Sequence, residues 1–189
     1  MSVDGRVADL IAQGLCDEAA TAVIESLGPE ILGYLRAVLR DEDEASDAFS
    51  QFAESVWRGL HGFRGEASLR VWCYRIAWRA VLSQKRDPYR RRRDRLDSSM
   101  ASRVAGRIYA TTALELERQS SALDRLKAQL HPDEQTLLTL RVDRQLSWGE
   151  VALVLAEDGE RLDESTLRKR FERLKDKLTR AARGEGLVE

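Results

Sequence analysis

The sequence predicts an all-α chain built as two small helical domains joined by a linker. Apolar residues recur at i, i+3, i+4 spacing in windows on both sides of a stretch, 96–121, where that signal fades. Helix-start residues, a proline in the first turn or a Ser or Asp cap, precede several of these windows. These signals place an N-terminal domain over 1–95, a linker over 96–121 and a C-terminal domain over 122–189. A chain of 189 residues has room for both and can bury a real core.

Residues 1–28 are weakly patterned and predict one or two short helices, around 7–10 and 19–27. Pro29 suits a helix start, and Ile31, Leu32, Leu35, Val38 and Leu39 then give an amphipathic, core-facing helix. The carboxylates of 41–44 suit the N-terminal dipole of the next helix. In that helix, over 45–60, Ala45, Phe49, Phe52, Val56 and Leu60 share one face. Asp47, Ser50, Gln51, Glu54 and Arg58 share the other, which pattern alone reads as solvated, with partner docking as the alternative. Gly59, Gly62 and Gly65 predict a loop over 59–68, with Ser68 or a neighbour capping the helix after it.

The stretch 63–93, FRGEASLRVWCYRIAWRAVLSQKRDPYRRRR, is the most specific in the chain. On a helical wheel, Val71, Tyr74, Ala77, Trp78, Val81 and Leu82 cover most of the circumference. Trp72, Arg75, Arg79 and Arg86 are left as one narrow cationic and aromatic edge. Asp87 and Pro88 end the helix, and Arg90, Arg91, Arg92 and Arg93 come next. Arginines along such an edge can follow a phosphate backbone, and a tryptophan beside them can stack on an unpaired base at roughly 1–3 kcal/mol. The competing reading packs Trp72 in the core and leaves the arginines solvated.

From 94 to 121, serines and threonines punctuate scattered apolar residues, consistent with a linker holding partial helix near 104–117. Leu123, Leu126 and Leu130 reopen the periodicity. Pro132, Asp133 and Glu134 mark a helix start, carried by Leu137, Leu138, Leu140 and Arg141 to about Val142. Ser147 and Glu150 form an S-x-x-E capping box before a short helix through Val151, Val154 and Leu155. Asp163 is the N-cap expected for the last helix, whose stripe is Leu167, Phe171, Leu174, Leu178 and Ala181. A short capped helix, a turn and a longer basic helix are the parts of a helix-turn-helix, whose second helix enters the major groove. There Arg or Lys can read guanine or hold phosphate, and Glu172 can accept from cytosine.

Net charge is −1, so no global bias toward polyanions exists; the bases instead cluster at 85–95 and 168–183 and the acids at 41–47. Cys16 and Cys73 are far apart, and His61 and His131 stand alone. No zinc site, disulfide framework or cofactor is expected, and reduced cytoplasm is the expected compartment. No phosphate loop or nucleophile–base spacing is present, which predicts a non-enzymatic protein without a small-molecule substrate. No stretch approaches 18 apolar residues, so neither export nor membrane insertion is expected.

Two blocks carry a resemblance. FRGEASLRVWCYRIAWRAVLSQKR resembles region 2 of the sigma-70 family of bacterial RNA polymerase sigma factors, specifically the two-domain extracytoplasmic-function group. LHPDEQTLLTLRVDRQLSWGEVALVL with ESTLRKRFERLKDKL resembles region 4 of the same group. The chain departs from the family pattern in having Ser50-Gln51 where Gln is usually followed by an acid, Arg79 where Asn is common, and AEDGER at 156–161 lengthening the helix-turn-helix turn.

The resemblance implies core RNA polymerase, promoter DNA and an anti-sigma factor as partners. By it, Asp47, Gln51 and Glu54 meet the β′ clamp, and the loop from Phe63 through Arg64 and Ser68 to Leu69 holds a flipped non-template base of the minus-ten element. Arg75, Arg79 and Arg90 to Arg93 follow the DNA backbone. Region 4 sits on the β flap and turns Thr166, Arg168, Lys169, Glu172 and Arg173 to the minus-35 groove. A stand-alone helix-turn-helix regulator of duplex DNA accounts for the C-terminal half but leaves 63–82 unexplained. A helical protein-interaction module with solvated basic faces is the third reading.

Overall fold

The computed structural model describes residues 3–86, 100–116, 127, 129–156 and 162–184, which form helices and connecting turns with no strand among them. The expected run Arg90 to Arg93, the Asp87-Pro88 stop, Leu123, Leu126 and residues 157–161 of the insertion lie outside the described residues. The chain divides into two compact units, Met1–Arg118 and Gln119–Glu189.

In the first unit, α1 (Val3–Ala12) packs on α2 (Cys16–Leu39), which is itself covered by α3 (Glu42–Gly59), α4 (Leu69–Arg86) and α5 (Met100–Leu116). The expectation that Pro29 starts a helix is corrected: α2 runs through it. An internal proline lacks the N–H that would reach the Glu25 carbonyl and crowds that carbonyl, at a cost of about 3 kcal/mol. The apolar face, however, is continuous on both sides. Val23, Ile24 and Leu27 before it and Ile31, Leu32 and Leu35 after it are buried, each contributing about 1.5–3 kcal/mol. Pro29 and Glu25 are exposed, so water can satisfy the freed carbonyl.

Asp41 caps α3 by accepting from the Glu44 N–H at 2.8 Å. The whole expected apolar face of α3, from Ala45 to Leu60, is buried. Phe49 and Phe52 stack at 5.7 Å, and Tyr34 of α2 meets Tyr74 of α4 edge-on at 5.3 Å. Arg70 of α4 reaches the Glu30 carboxylate of α2 at 3.3 Å.

Residues 100–116, expected as linker with partial helix near 104–117, form the helix α5, which packs on α2 and α3. The reason is a second apolar face, Ala101, Val104, Ala105 and Ile108, all buried. It docks where α2 presents Gly28: a Cβ there would meet Ile108 Cδ1 at 2.9 Å and Phe49 Cζ at 3.3 Å, so a larger residue would have to displace the ends of those side chains. Polar contacts rim the dock. Arg107 pairs with Glu25 at 3.0 Å, and the Tyr109 hydroxyl donates to the Glu42 carboxylate, which also pairs with Arg36 at 3.0 Å. Burial, then that hydrogen bond, pushes the Tyr109 phenol up to about 12.

In the second unit, α6 (Pro132–Leu138) continues into a π-helical turn, Thr139–Asp143, and is followed by α7 (Trp148–Leu155) and α8 (Glu164–Gly184). The expected start chemistry is present. The His131 N–H donates to the Glu134 carboxylate at 2.8 Å with Pro132 in the first turn. The Ser147 N–H and hydroxyl both donate to Glu150 at 2.8 Å, while the Glu150 N–H returns to Ser147 Oγ. The Thr166 N–H donates to the Asp163 carboxylate at 3.3 Å. Bonds from Ser165 and then Thr166 hold the Asp163 carboxyl below its ordinary range. Leu130, Leu138 and Leu174 form the core with Phe171 and Leu178 against them. Lys177 ties α8 to α6 through Glu134 at 2.6 Å.

Gly28→Val is expected to overpack the α5 dock and destabilise the first unit by about 1–3 kcal/mol in urea denaturation. Ile108→Ala added to it should return part of that loss, and an additive double variant would contradict the dock. The Glu134 carboxyl gives a pH prediction. Desolvation, its largest influence, pushes it up, but the bonds from Lys177 and the His131 N–H together outweigh that and leave it below its ordinary value. A depressed carboxyl stabilises above the unfolded range, and that contribution disappears as pH falls through the folded value. The Tm gap between wild type and Glu134→Gln should therefore be full at neutral pH and close as pH drops below about 4; a gap unchanged in acid would contradict the pairing.

Candidate nucleic-acid interface

The edge expected around 63–86 is built by a loop folded onto the start of α4. A 3-10 turn, Leu60–Gly62, leads out of α3, and the chain reverses at Gly65, whose φ of 72° suits glycine. Ser68 caps α4: the Val71 N–H donates to its hydroxyl at 3.3 Å and the Trp72 N–H to its carbonyl at 3.0 Å. Its hydroxyl is thus engaged in starting the helix.

Phe63 lies 5.3 Å from the Trp72 ring, tilted at 50°, and the Trp72 ring also lies over Gly59, where a Cβ would come within 3.3 Å of it. Both aromatics are half-buried, so Trp72 is neither a core residue nor a free platform. Arg64, Arg79 and Arg86 are exposed. Arg75, expected on the same edge, is half-buried, and its Nε is buried without a hydrogen-bond partner among the described residues. Of the expected buried face, Val71, Tyr74, Ala77, Trp78 and Val81 are buried, whereas Leu82 is only half-buried.

On the polar face of α3, Gln51 is exposed, Asp47 and Glu54 are half-buried, and Glu54 pairs with Arg58 one turn on. This acidic face and the aromatic edge belong to the same unit, fixed by the packing of α3 on α4. Cys73 lies beneath the edge. Burial, with the Glu30 and Asp4 carboxylates adding to it, pushes its thiol far up, which rules out a reactive thiolate.

In the second unit, Thr166, Arg168, Lys169, Glu172 and Arg173 are all exposed on α8, while Leu167 and Leu174 of the stripe are buried. Thr166 is engaged with the Asp163 cap, and Glu172 pairs with Lys175 at 2.7 Å. Arg168 is held on two sides. Its Nη2 lies 2.9 Å from Glu164, and its Cζ lies 5.9 Å from the Trp148 ring centroid. Trp148, the first residue of α7, meets Phe171 edge-on at 5.6 Å and carries Arg141 at 5.0 Å.

An exposed i,i+4 pair contributes about 0.3–0.5 kcal/mol and an exposed cation–π contact about 0.5–1, against roughly 2 kcal/mol of arginine rotamer entropy. Together they reach about 0.8–1.5 kcal/mol, short of that cost, so they bias Arg168 toward this geometry without immobilising it. Sequence reading placed Arg141 in the helix after Pro132 and gave no site role to Arg141, Trp148 or Glu164. Arg141 lies in the π-helical turn, Trp148 at the start of α7 and Glu164 at the start of α8, so only the tertiary turn brings them together.

No group of His, Cys, Asp and Glu that could hold a metal occurs among the described residues, and no described helix is long and apolar enough to cross a membrane.

Residues 23–95 match the family described as Sigma-70 region 2. The chain is 29% identical over 136 residues to the RNA polymerase sigma-H factor of Pseudomonas aeruginosa, covering 67% of this chain and 69% of that protein. No solved structure matches the chain.

Trp72→Ala is expected to free the 63–68 loop from α4 while leaving helix content intact. Tryptic cleavage after the exposed Arg64 should accelerate severalfold at unchanged far-UV circular dichroism. Cleavage at the wild-type rate would show that Trp72 does not anchor the loop.

Proposed function

The chain belongs to the sigma-70 family of RNA polymerase sigma factors, and from that membership we propose that it directs core polymerase to promoters as a member of the extracytoplasmic-function group. It acts through binding energy, with no covalent chemistry of its own. The observation that carries this reading is the 63–86 edge inside the matched region: two aromatics and the cations Arg64 and Arg79 on one loop and helix, above a packed core.

An aromatic pair half-embedded at a helix start is suited to receive an unpaired base. Exposed arginines alongside suit the phosphates of the separated strand. In this reading Phe63, Arg64, Trp72 and Arg79 engage the minus-ten element, joined by Arg90, Arg91, Arg92 and Arg93. Ser68 shapes the loop through its cap, and Arg75 supports the edge from a half-buried position. The acidic face with Asp47, Gln51 and Glu54 meets the β′ clamp.

The second unit acts as region 4. Its capped α7 and basic α8 present Thr166, Arg168, Lys169, Glu172 and Arg173 to the minus-35 duplex, and the β flap is its polymerase contact. An anti-sigma factor that covers these surfaces belongs to the same proposal, and the protein works in the cytoplasm, where core polymerase is found.

Transcription in vitro with purified core enzyme across a genomic promoter library tests the proposal. The chain should confer initiation at a discrete promoter set. Arg168→Ala with Lys169→Ala should cut minus-35-dependent transcription by roughly tenfold or more, with core binding unchanged. Tight, palindrome-dependent duplex binding by the isolated chain, with no promoter use by core enzyme, would overturn it.

A further inference from the structure

We propose that Trp148 is a positioning residue for Arg168, so that the base preference of α8 is set in part by a ring that belongs to α7. The inference rests on the reading of α7 and α8 as a duplex-reading pair and deepens it.

Arg168 lies at the edge of α8 that faces α7, on the same side as Phe171, and its side chain remains 58% exposed. Glu164 fixes one end of the guanidinium at 2.9 Å, and the Trp148 ring lies 5.9 Å from its Cζ. A guanidinium reads guanine through two parallel N–H bonds, which require its fork to be presented in one plane. A carboxylate alone, one turn back on the same helix, leaves that plane free to rotate. An aromatic ring beside it restricts the rotation.

For this to act on recognition, the ring must itself be fixed, and two ring contacts and a helix cap fix it. Phe171 meets it edge-on at 5.6 Å from the core side, and Arg141 approaches its centroid to 5.0 Å. Arg141 is in turn tied to the turn before α7, where its Nη1 donates to the Leu146 carbonyl at 2.8 Å. That turn is tightly set, since Gln145 adopts a left-handed φ of 56° and the Leu146 N–H donates to the Leu140 carbonyl at 3.0 Å. The Ser147–Glu150 box then fixes Trp148 as the first residue of its helix. Gly149 completes the cluster: a Cβ there would lie 3.4 Å from Glu164 Oε1, so the carboxylate that holds Arg168 also sits against the start of α7. Arg141, Trp148, Glu164 and Arg168 therefore form one connected set joining the two helices.

The test uses the full chain with core polymerase on promoters selected from a randomised library, with the minus-35 element then varied one base at a time. Arg168→Ala should flatten the preference at one position, with a loss of roughly tenfold on the selected sequence. Trp148→Leu should flatten the same position by roughly three- to tenfold, and should change transcription less than twofold when added to Arg168→Ala. Trp148→Phe, which keeps an aromatic ring against Phe171, should retain most of the preference, and the minus-ten preference should not move in any variant.

A Trp148→Leu loss that is uniform over all minus-35 sequences, or multiplicative with that of Arg168→Ala, would overturn the positioning role and leave duplex reading by α8 intact. An Arg168→Ala variant that keeps the full preference at every position would overturn the duplex-reading assignment itself. Should Trp148→Leu melt the second unit, Arg141→Gln carries the comparison: it removes a support of the ring without touching the Phe171 contact. It should flatten the Arg168 position, and an unaltered preference there would overturn the inference.

Discussion

The first unit depends on the uninterrupted apolar face of α2. That face passes straight through Pro29, because the burial on either side outweighs the lost hydrogen bond and the crowded carbonyl. With α2 continuous, α3, α4 and α5 can all pack on one rod, and the position of each is set by the same set of side chains. Gly28, immediately before the proline, adds a local constraint. Both Ile108 of α5 and the Phe49 ring lie against it, so a side chain there would have to displace the ends of both.

That scaffold sets what the candidate interface can do. The α4 face holding Val71, Tyr74, Ala77 and Trp78 is fully committed to the core, so only an edge remains for a ligand. The edge is extended by the loop from Phe63, which lies on Trp72 and is turned by Gly65 and closed by Ser68. The result is an aromatic surface held rigidly from below and open from above, with cations beside it. In the proposed reading, a base separated from its complement would meet this surface already formed, which would lower the cost of holding it.

Much of this was legible in the sequence because it is local. Caps at Ser147 and Asp163, the proline start at Pro132 and the apolar faces of α3 and α8 arise from residue type and helical period alone. The rest is tertiary, and left no local signal. Pro29 carries a strong local stop signal, overridden by burial that only the assembled helices provide. Residues 100–116 look like linker because their apolar face is short and interspersed with serine and threonine, yet Ile108 finds a partner in Gly28, far earlier in the chain. Arg75 falls on the exposed edge of a wheel but is half covered in the packed unit, a difference that a wheel has no means to register. The Trp148 cluster joins three separate segments, which helical spacing alone does not bring together.

In the proposed reading, the 63–86 edge captures a base of the non-template strand as core polymerase opens a promoter. Permanganate footprinting of minus-ten thymines on a promoter selected by the chain tests it most directly. Reactivity should appear only when core enzyme and the chain are both present, and should be largely lost with Trp72→Ala while the polymerase still occupies the promoter. Full reactivity with that variant, in a chain that remains folded, would contradict the account.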